Sequence, residues 1–307
     1  MDRLYDMIVI GGGPGGCTAA LYAARAGLSV LLLEGGVPGG QMALTGRIDN
    51  YPGFPGGIAG FDLAQRMVQQ IEEAGAKVLP CQALSLELSA NPKAVTTLEG
   101  IFRARTLVYA AGAEPRHLGL AGEDTFTGRG VHYCAQCDGM FYRGKTVVVV
   151  GGGNTAVSDA LLLHRVAKQV HLVHRRDTLR ASQVSFGPLL EAENVSFHWN
   201  STPTRLLGGE ALTGVILTDT VTGAETELRC DGVFVSIGRT PATELVGSQL
   251  SLDQSGYIIA GESTKTAIAG VFAVGDVRTK SLRQIVTALS DGATAASRAE
   301  EYLSRNQ

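Results

Sequence analysis

The sequence has no strong excess of either charge and no long apolar run. Its 26 basic and 29 acidic residues leave a formal net charge of -3. The chain therefore has no overall basic surface, which argues against nucleic acid as the main partner. No apolar stretch approaches the length of a membrane span, and the N-terminus leads almost directly into a strand without a charged and apolar leader. We expect a soluble, cytoplasmic protein without a membrane partner.

Cysteine is scarce as well. The five cysteines are Cys17, Cys81, Cys134, Cys137 and Cys230. Because they are odd in number and mostly isolated, they exclude a disulfide-stapled scaffold. Only Cys134 and Cys137 are close together, and such a pair indicates redox or metal chemistry in a reducing compartment. A structural zinc site needs four ligands, but the sequence has no second Cys-x-x-Cys or Cys-x-x-His and only His132 nearby. We therefore predict no metal site, and we expect the other three cysteines to be packed side chains.

Glycine, by contrast, is abundant, at 40 of 307 residues. A glycine excess without a collagen-like period indicates many tight turns and close backbone approaches, as nucleotide-binding α/β proteins require. The chain is also too long for one compact core, so two domains are expected.

A βαβ unit opens the chain. A strand over 7–10 leads into the turn at 11–16, a helix is expected over 17–26, and a second strand over 28–33 ends at Glu34. The turn has the spacing Gly-x-Gly-x-x-Gly of a dinucleotide-binding fingerprint. A glycine-rich turn without a ligand is the alternative.

The glycines of this fingerprint have separate tasks. Gly11 makes the tight turn, Gly13 lets a pyrophosphate approach the backbone, and Gly16 lets helix and strand pack closely. The helix N-terminus would face the phosphates, and Glu34 would accept a hydrogen bond from a ribose hydroxyl.

The pattern repeats about 140 residues later, as the distance from Gly11 to Gly151 shows. A β-branched strand over 145–150 leads into a second turn at 151–156, where alanine takes the place of the last glycine. A helix over 155–166 and a strand over 169–173 follow. Two such units indicate two nucleotide-binding domains.

The second unit ends in basic residues instead of an acid. His174, Arg175 and Arg176 follow its second strand, and Arg180 lies four residues further on. An acid at this place favours a free ribose 2′-hydroxyl, whereas arginines bind a 2′-phosphate bidentately. We therefore expect FAD at the first site and NADPH at the second. A solvated basic edge is the alternative at the second.

The first domain is expected to be split in sequence. A strand over 232–237 leads back towards it, and a strand over 270–274 ends in Gly275 and Asp276, whose carboxylate can bind ligand hydroxyls. A final alanine-rich helix opens at Arg283-Gln284-Ile285. The predicted fold is α/β with two Rossmann-like, three-layer domains. The FAD-binding domain comprises 1–114 and 242–307, and the NADPH-binding domain with the cysteine pair comprises 115–241.

The Cys134–Cys137 pair lies just before the second fingerprint. It can close to a disulfide or open to a dithiol without large backbone movement, so it stores two electrons, and Asp138 directly after it can manage protons. Hydride from NADPH would reach the flavin, which converts it into thiol–disulfide exchange. Because the pair belongs to the inserted domain, we expect domain motion during turnover.

These residues resemble those of the bacterial low-molecular-weight thioredoxin reductases, class II of the flavin-dependent pyridine nucleotide-disulfide oxidoreductases. The segments that carry the resemblance span nearly the whole chain, in the family's order and spacing. They are 11–16, Pro38-Gly39-Gly40-Gln41, Asn50-Tyr51-Pro52-Gly53, Cys134-Ala135-Gln136-Cys137-Asp138-Gly139, Gly151-Gly152-Gly153-Asn154-Thr155-Ala156, His174-Arg175-Arg176-Asp177, Gly275-Asp276 and Arg283-Gln284.

The resemblance implies roles for the redox residues. Cys137 would be the sulfur nearer the flavin, Cys134 would exchange with the substrate protein, and Asp138 would be the general acid. The predicted cofactor-binding residues are Gly11, Gly13, Pro14, Gly16, Glu34, Gly40, Gln41, Asn50, Ala111, Gly112, Gly275, Asp276, Arg283 and Gln284 for FAD, and Gly151, Gly153, Asn154, Thr155, His174, Arg175, Arg176 and Arg180 for NADPH. A homodimer, domain rotation and a thioredoxin or thioredoxin-like partner are implied as well.

The sequence departs from the family pattern at three places. Gln136 replaces a threonine, valine or serine, Ser158 replaces a glutamate, and Leu282 replaces a frequent aromatic. None of these changes removes a reacting group.

Three functions remain open. The leading one is NADPH-dependent reduction of thioredoxin. A related flavoenzyme would use the same disulfide on another thioredoxin-like or small dithiol substrate, or as an oxygen-using dithiol oxidase. A non-catalytic redox or nucleotide sensor is the third, although a sensor needs no acid beside its thiols. Turnover of NADPH distinguishes it from the enzymes.

Overall fold

The computed structural model describes residues 4–181 and 183–306, without the side chains of residues 183–185. The chain forms two compact units. Unit 1 comprises Met1–Glu114 and Thr240–Gln307, and unit 2 comprises Pro115–Arg239. Unit 2 is therefore inserted between two stretches of unit 1.

The strands range from two to ten residues in length. In chain order they are β1 (Leu4–Ile10), β2 (Val30–Leu33), β3 (Lys77–Leu79), β4 (Ala83–Glu87), β5 (Lys93–Thr97), β6 (Gly100–Tyr109), β7 (Ala113–Pro115), β8 (Val131–His132), β9 (Thr146–Val150), β10 (Gln169–Val173), β11 (Val195–His198), β12 (Ser201–Gly208), β13 (Leu212–Asp219), β14 (Glu225–Arg229), β15 (Gly232–Val235), β16 (Arg239–Pro241) and β17 (Val271–Ala273).

The helices range from one turn to the long C-terminal helix. They are α1 (Pro14–Arg25), α2 (Gly60–Glu73), α3 (Glu123–Phe126), α4 (Ala135–Asp138), α5 (Asn154–Leu163), α6 (Gln183–Glu191) and α7 (Ile285–Arg305), with 3-10 turns at Gly40–Met42, Gly139–Tyr142 and Gly275–Val277.

Unit 1 is built on one sheet, in the order β3-β2-β1-β6-β5-β4, with β17 paired to β6. The strands β3, β2, β1, β6 and β17 run parallel, and β4 and β5 add an antiparallel edge. Ile10 lies opposite both Leu33 and Tyr109, and Tyr109 lies opposite Ala273. Four strands therefore end at one level, and the loops that follow them meet there.

The core of unit 1 lies on both faces of this sheet. All four residues of β2 are buried, as expected for a parallel strand covered by helices on both sides. Helix α1 packs closely against α7 because its buried face consists of glycine, alanine and cysteine. At Gly292 of α7 a Cβ would meet the backbone of Gly15 and Ala19. Small residues thus bring the start of α1 close to α7.

Unit 2 contains a parallel sheet in the order β11-β10-β9-β15-β8. Val150 lies opposite both Val173 and Val235, so three strands again end together. Strand β8, directly before the cysteine pair, lies at the edge next to β15. An antiparallel sheet, β12-β13-β14, is the other layer, and β7 pairs with β16 where the chain passes between the units.

Two predicted helix bounds are wrong by a few residues. Helix α1 begins at Pro14, before the predicted start at 17, because proline has the backbone angle that the first helical position needs. Helix α5 ends at Leu163, before the predicted end at 166, because the carbonyl of Val166 accepts from Gly144 N outside the helix. The predicted α/β class with two Rossmann-type domains is confirmed.

In the described part of the chain, no helix combines the length and the apolar character that crossing a bilayer would need.

Candidate active site

Cys134 and Cys137 form a disulfide, with their Cα atoms 5.3 Å apart, a normal spacing for a bridged pair. Cys134 follows strand β8 and caps helix α4, and Cys137 N donates to its Sγ at 3.2 Å. Both cysteines are half-buried. The bridge therefore lies at the surface of unit 2, held by a single helical turn.

Asp138, at the end of α4, belongs to a chain of hydrogen bonds. Its Oδ2 lies 2.9 Å from Nδ1 of His132, and the other ring nitrogen, Nε2, lies 2.6 Å from the hydroxyl of Tyr142. His132 is 7% exposed and the Asp138 side chain 18%. The carboxylate beside the disulfide is thus tied to a buried imidazole and a phenol. Neither partner was predicted from the sequence, where His132 was only a candidate metal ligand.

The other three cysteines are buried and unbridged. Burial, with the charge of Glu34, raises the pKa of Cys17 to about 12. Burial, with the charge of Asp231, raises the pKa of Cys230 to about 12. Thiols of this kind carry almost no thiolate near neutral pH and are poor nucleophiles. The disulfide pair therefore carries the thiol chemistry of this site.

The first glycine turn lies where β1 ends in unit 1. Gly11 has φ +101°, and a Cβ there would collide with the carbonyl group of Ala110 and approach Cα of Ala111 at 3.2 Å. Gly112 follows with φ +73°. Glycine is required at Gly11 both by its backbone angle and by this contact. The predicted FAD residues from β1 and β6 thus lie against each other.

Glu34, at the end of β2, closes over the same turn. Its Oε2 accepts from Gly12 N at 2.6 Å, and its Oε1 accepts from Gly36 N at 2.7 Å. The carboxylate is therefore held at the strand ends by two backbone donors. This is the place at which an acid was predicted to meet a ribose.

The glycine-rich loop after β2 also folds onto this turn. Gly39 N donates to Gly12 O at 2.8 Å, and a Cβ on Gly40 would lie 3.6 Å from Cα of Gly13. Gln41 follows in the 3-10 turn and is exposed. The structure thus brings Gly40 and Gln41 to the fingerprint, as their assignment to one site requires.

Asn50 and Gln284, far apart in sequence, are joined by a hydrogen bond of 3.1 Å from Asn50 Nδ2 to Gln284 Oε1. Gln284 also caps α7 through a capping box with Thr287. The guanidinium group of Arg283 lies 4.0 Å from the centre of the Tyr257 ring, and its Nε lies 3.4 Å from the Asp276 carbonyl. These contacts fix the start of α7 beside the loop after β17.

A buried ion network holds that loop in place. Asp291 of α7 accepts from Arg278 Nη2 at 2.6 Å, from Lys280 Nζ at 2.8 Å and from Gly275 N at 2.8 Å. These cations hold the pKa of the Asp291 carboxyl below its usual range, against the effect of burial. Gly275 and Asp276 are positioned by this network. Arg278, Lys280 and Asp291 have no sequence motif and were not predicted.

The second glycine turn lies where β9 ends in unit 2. Gly151 has φ +152°, and a Cβ there would collide with the carbonyl oxygen of Ser236. Gly153 is the N-cap of α5, and Asn154 and Thr155 form its exposed first turn. The predicted NADPH residues of the turn are therefore accessible.

His174 occupies the position that Glu34 has in unit 1. Its ring lies against Gly152, where a Cβ would overlap it. Burial, with the charges of Arg175, Arg180 and Arg176, lowers its pKa although a hydrogen bond with Thr178 opposes the shift. Its imidazole is therefore neutral at pH 7. Of the side-chain atoms described, His174 Nε2 is the one that is buried without a hydrogen-bond partner.

Arg175, Arg176 and Arg180 surround this turn and are exposed. Arg180 N donates to Gly152 O at 2.7 Å, which fixes the loop after β10 onto the turn. No carboxylate of the described residues forms an ion pair with any of the three guanidinium groups. They remain available for an anionic ligand.

A half-buried carboxyl lies beside the second turn and was not predicted. Asp159, in α5, accepts a 2.5 Å hydrogen bond from the Ser236 hydroxyl at the end of β15. Burial raises its pKa to about 6, although the Ser236 bond and the Arg239 charge oppose the shift. A carboxyl with such a pKa at the carboxyl ends of strands is a candidate for a functional group.

In the described part of the chain, no three or more His, Cys, Asp or Glu side chains are grouped so that they could hold a metal ion.

Comparison with known proteins identifies the class. The family model of the pyridine nucleotide-disulphide oxidoreductases matches residues 5–292. The thioredoxin reductase of Listeria innocua is 45% identical over 303 residues, covering 98% of this chain and 95% of that protein. The thioredoxin reductase of Bacillus subtilis is 42% identical over 307 residues, covering 100% and 97%. The crystal structure of thioredoxin reductase from Streptococcus pyogenes superposes with a TM-score of 0.93 at 41% identity, covering 99% of this chain and 100% of that one.

Two α/β units with dinucleotide turns and a Cys-x-x-Cys disulfide, matched over nearly the whole chain, show that this chain belongs to the pyridine nucleotide-disulphide oxidoreductase family. Within that family it is one of the low-molecular-weight thioredoxin reductases. The predicted resemblance is confirmed.

Proposed function

We propose that this chain reduces the disulfide of a thioredoxin or thioredoxin-like protein with electrons from NADPH, by way of bound FAD and the Cys134–Cys137 pair. The observation that carries the proposal is the disulfide itself, half-buried and followed directly by the hydrogen-bonded carboxylate of Asp138. A disulfide that only stabilised the fold would need no acid beside it.

Unit 1 fits FAD. At Gly13 a Cβ would have no atom within 4 Å, so the turn leaves room for a phosphate. Glu34 lies at the ribose position, and Asp276, Asn50 and Gln284 supply polar groups at the far side of the same strand ends. We propose these residues, with the rest of the predicted FAD set, as the flavin site.

Unit 2 fits NADPH. Three exposed arginines and the partnerless His174 Nε2 surround a glycine turn at a strand end. Guanidinium groups suit a 2′-phosphate because they bind it bidentately and stay charged. When bound, the two cofactors would supply two electrons to the disulfide.

The roles of the redox residues follow the family resemblance. We propose Cys137 as the sulfur nearer the flavin, Cys134 as the one that exchanges with the substrate, and Asp138 as the general acid. Reorientation of the units during turnover and a homodimeric assembly complete the proposal.

Anaerobic stopped-flow spectroscopy tests this function. The purified protein is mixed with NADPH, and then with oxidised thioredoxin, while the flavin absorbance is followed. Bleaching by NADPH followed by recovery with thioredoxin supports the proposal. Bleaching without recovery would move the activity to another disulfide or dithiol substrate. Absence of bleaching would contradict the NADPH site. The Cys134→Ser variant should bleach normally with NADPH but show no recovery with thioredoxin. Cys81→Ala is its matched control.

A further inference from the structure

His132 has no part in the activity proposed above, yet the structure joins it directly to the acid of that activity. Its Nδ1 faces Asp138 Oδ2 at 2.9 Å. Two rings also enclose it: it stacks on Phe234 at 5.3 Å between ring centres with 26° between planes, and the Tyr142 ring meets it edge-on at 5.1 Å. Because this enclosure allows the ring little freedom, it holds the carboxylate in one place.

The hydrogen bonds also fix which nitrogen carries the proton. Burial, with the charge of Asp138, raises the pKa of Tyr142 to about 12, so its hydroxyl keeps its proton near neutral pH. The phenol donates to Nε2 of a neutral imidazole, at 2.6 Å. Nδ1 then carries the hydrogen and donates to Asp138, the arrangement in which an imidazole orients a carboxylate.

We propose that His132 is a positioning residue of the disulfide chemistry, which holds the Asp138 carboxylate in the orientation at which it exchanges protons with the Cys134–Cys137 pair. This inference rests on the proposed function, since it assigns the proton control of that same site.

The protons that move during thiol–disulfide exchange indicate what His132 does. When the dithiol reduces a substrate disulfide, the two thiols lose two electrons and two protons as their S–S bond forms. The substrate gains both as its own S–S bond breaks. Asp138 takes the proton of one thiol as the thiolate forms, and that proton leaves to the departing substrate sulfur or to water. His132 keeps the carboxylate in place throughout.

Of the elements that pack against this imidazole, α4 contributes Asp138, the following 3-10 turn contributes Tyr142, and β15 contributes the apolar Phe234. Beyond Tyr142 lie the Lys145 ammonium, 5.3 Å from the phenol ring centre, and the Asp231 and Cys230 groups, which act on the Tyr142 pKa. Asp138 is therefore the carboxylate that His132 holds.

The test measures the dithiol itself. The holoenzyme is reduced with dithiothreitol and desalted without oxygen, and the rate of alkylation of Cys134 and Cys137 by iodoacetamide is measured by peptide mass spectrometry at one fixed pH. His132→Leu removes the N–H donor for Asp138, whereas His132→Asn keeps one. We expect His132→Leu to react roughly three- to tenfold more slowly than wild type, and His132→Asn to react within about twofold of wild type.

Two further variants serve as controls. Tyr142→Phe keeps His132 but removes the hydroxyl that binds Nε2, and we expect it to react more slowly than wild type but faster than His132→Leu. His171→Asn changes another half-buried histidine of unit 2, whose Nδ1 lies 3.0 Å from His198 Nε2, and we expect it to match wild type.

A His132→Leu rate equal to the wild-type rate would overturn the inference, and so would equal slowing in His132→Leu and His132→Asn, which indicates a structural role alone. Failure of the proposed function would give a different result. Dithiothreitol would then release no pair of thiols at Cys134 and Cys137, or the reduced wild type would not react with thioredoxin.

Discussion

The two glycine turns of this chain have the same construction but opposite charge. In each unit, the residue that ends the second strand of a βαβ unit closes over the middle glycine, 22 residues earlier: Glu34 over Gly12 and His174 over Gly152. Glu34 accepts two backbone hydrogen bonds, whereas His174 is neutral, lacks a partner for Nε2 and is surrounded by arginines. The fold thus builds the turn, and we propose that the residue after the strand selects the ligand.

Removing the turn itself should have the largest effect. Gly11→Ala and Gly151→Ala each place a Cβ into a backbone carbonyl at positive φ, which costs roughly 1–3 kcal/mol of strain or displaces the turn. We expect Gly11→Ala to be purified with little flavin, measured as the ratio of flavin to protein absorbance.

The matched variant should separate the two sites. We expect Gly151→Ala to keep its flavin while its KM for NADPH rises tenfold or more. If both variants lost the flavin equally, the assignment of the two turns to two ligands would be wrong.

Removing the charge should affect only the second turn. Replacing Arg175 and Arg176 by alanine should raise the KM for NADPH far more than that for NADH, because each lost phosphate contact is worth about 1.5–3 kcal/mol, or tenfold or more. Steady-state kinetics with both nucleotides measure this. Arg165→Ala, an exposed arginine of the same unit, is the control. Unchanged discrimination would mean that the 2′-phosphate is bound elsewhere.

The helices after the turns differ by one half-buried carboxyl, and its effect should be the smallest. Counted from the first glycine, Ala19 in α1 corresponds to Asp159 in α5. The folded chain raises the pKa of Asp159 to about 6, above its ordinary value of 3.8. Between these values the folded state binds more protons than the unfolded state. This group therefore favours folding at low pH, and that contribution is lost as the pH rises through 6.

Asp159→Asn should consequently stabilise the protein at pH 8, by about 1–3 kcal/mol, and change it little at pH 4.5. Thermal unfolding at the two pH values measures the difference, and Asp177→Asn at an exposed site is the control. An equal gain at both pH values would show that the carboxyl does not titrate as the structure indicates.

The turns could be predicted from the sequence because the backbone conformation of a turn restricts the residue types within that turn. Gly11 and Gly151 are glycines for reasons that lie within one turn, and the strand-end residues Glu34 and His174 follow at a fixed spacing. The class, the repeat and the cysteine pair could be predicted on the same basis.

The unpredicted groups depend on contacts between distant segments. Asp159 and Ser236 are 77 residues apart and meet only because β9 pairs with β15. The enclosure of His132 by Phe234 likewise depends on the pairing of β8 with β15. No periodicity or spacing records such contacts, so a buried polar network has to be found in the structure.

In the function proposed above, electrons from NADPH pass through the Cys134–Cys137 pair to a substrate disulfide. Anaerobic acid quenching and thiol labelling test it directly, with the peptide containing both cysteines followed by mass spectrometry. We expect this peptide to carry two labels after addition of NADPH. After addition of oxidised thioredoxin, we expect the peptide to lose both labels and the thioredoxin to carry two. A bleached flavin with an unlabelled Cys134–Cys137 peptide would contradict it.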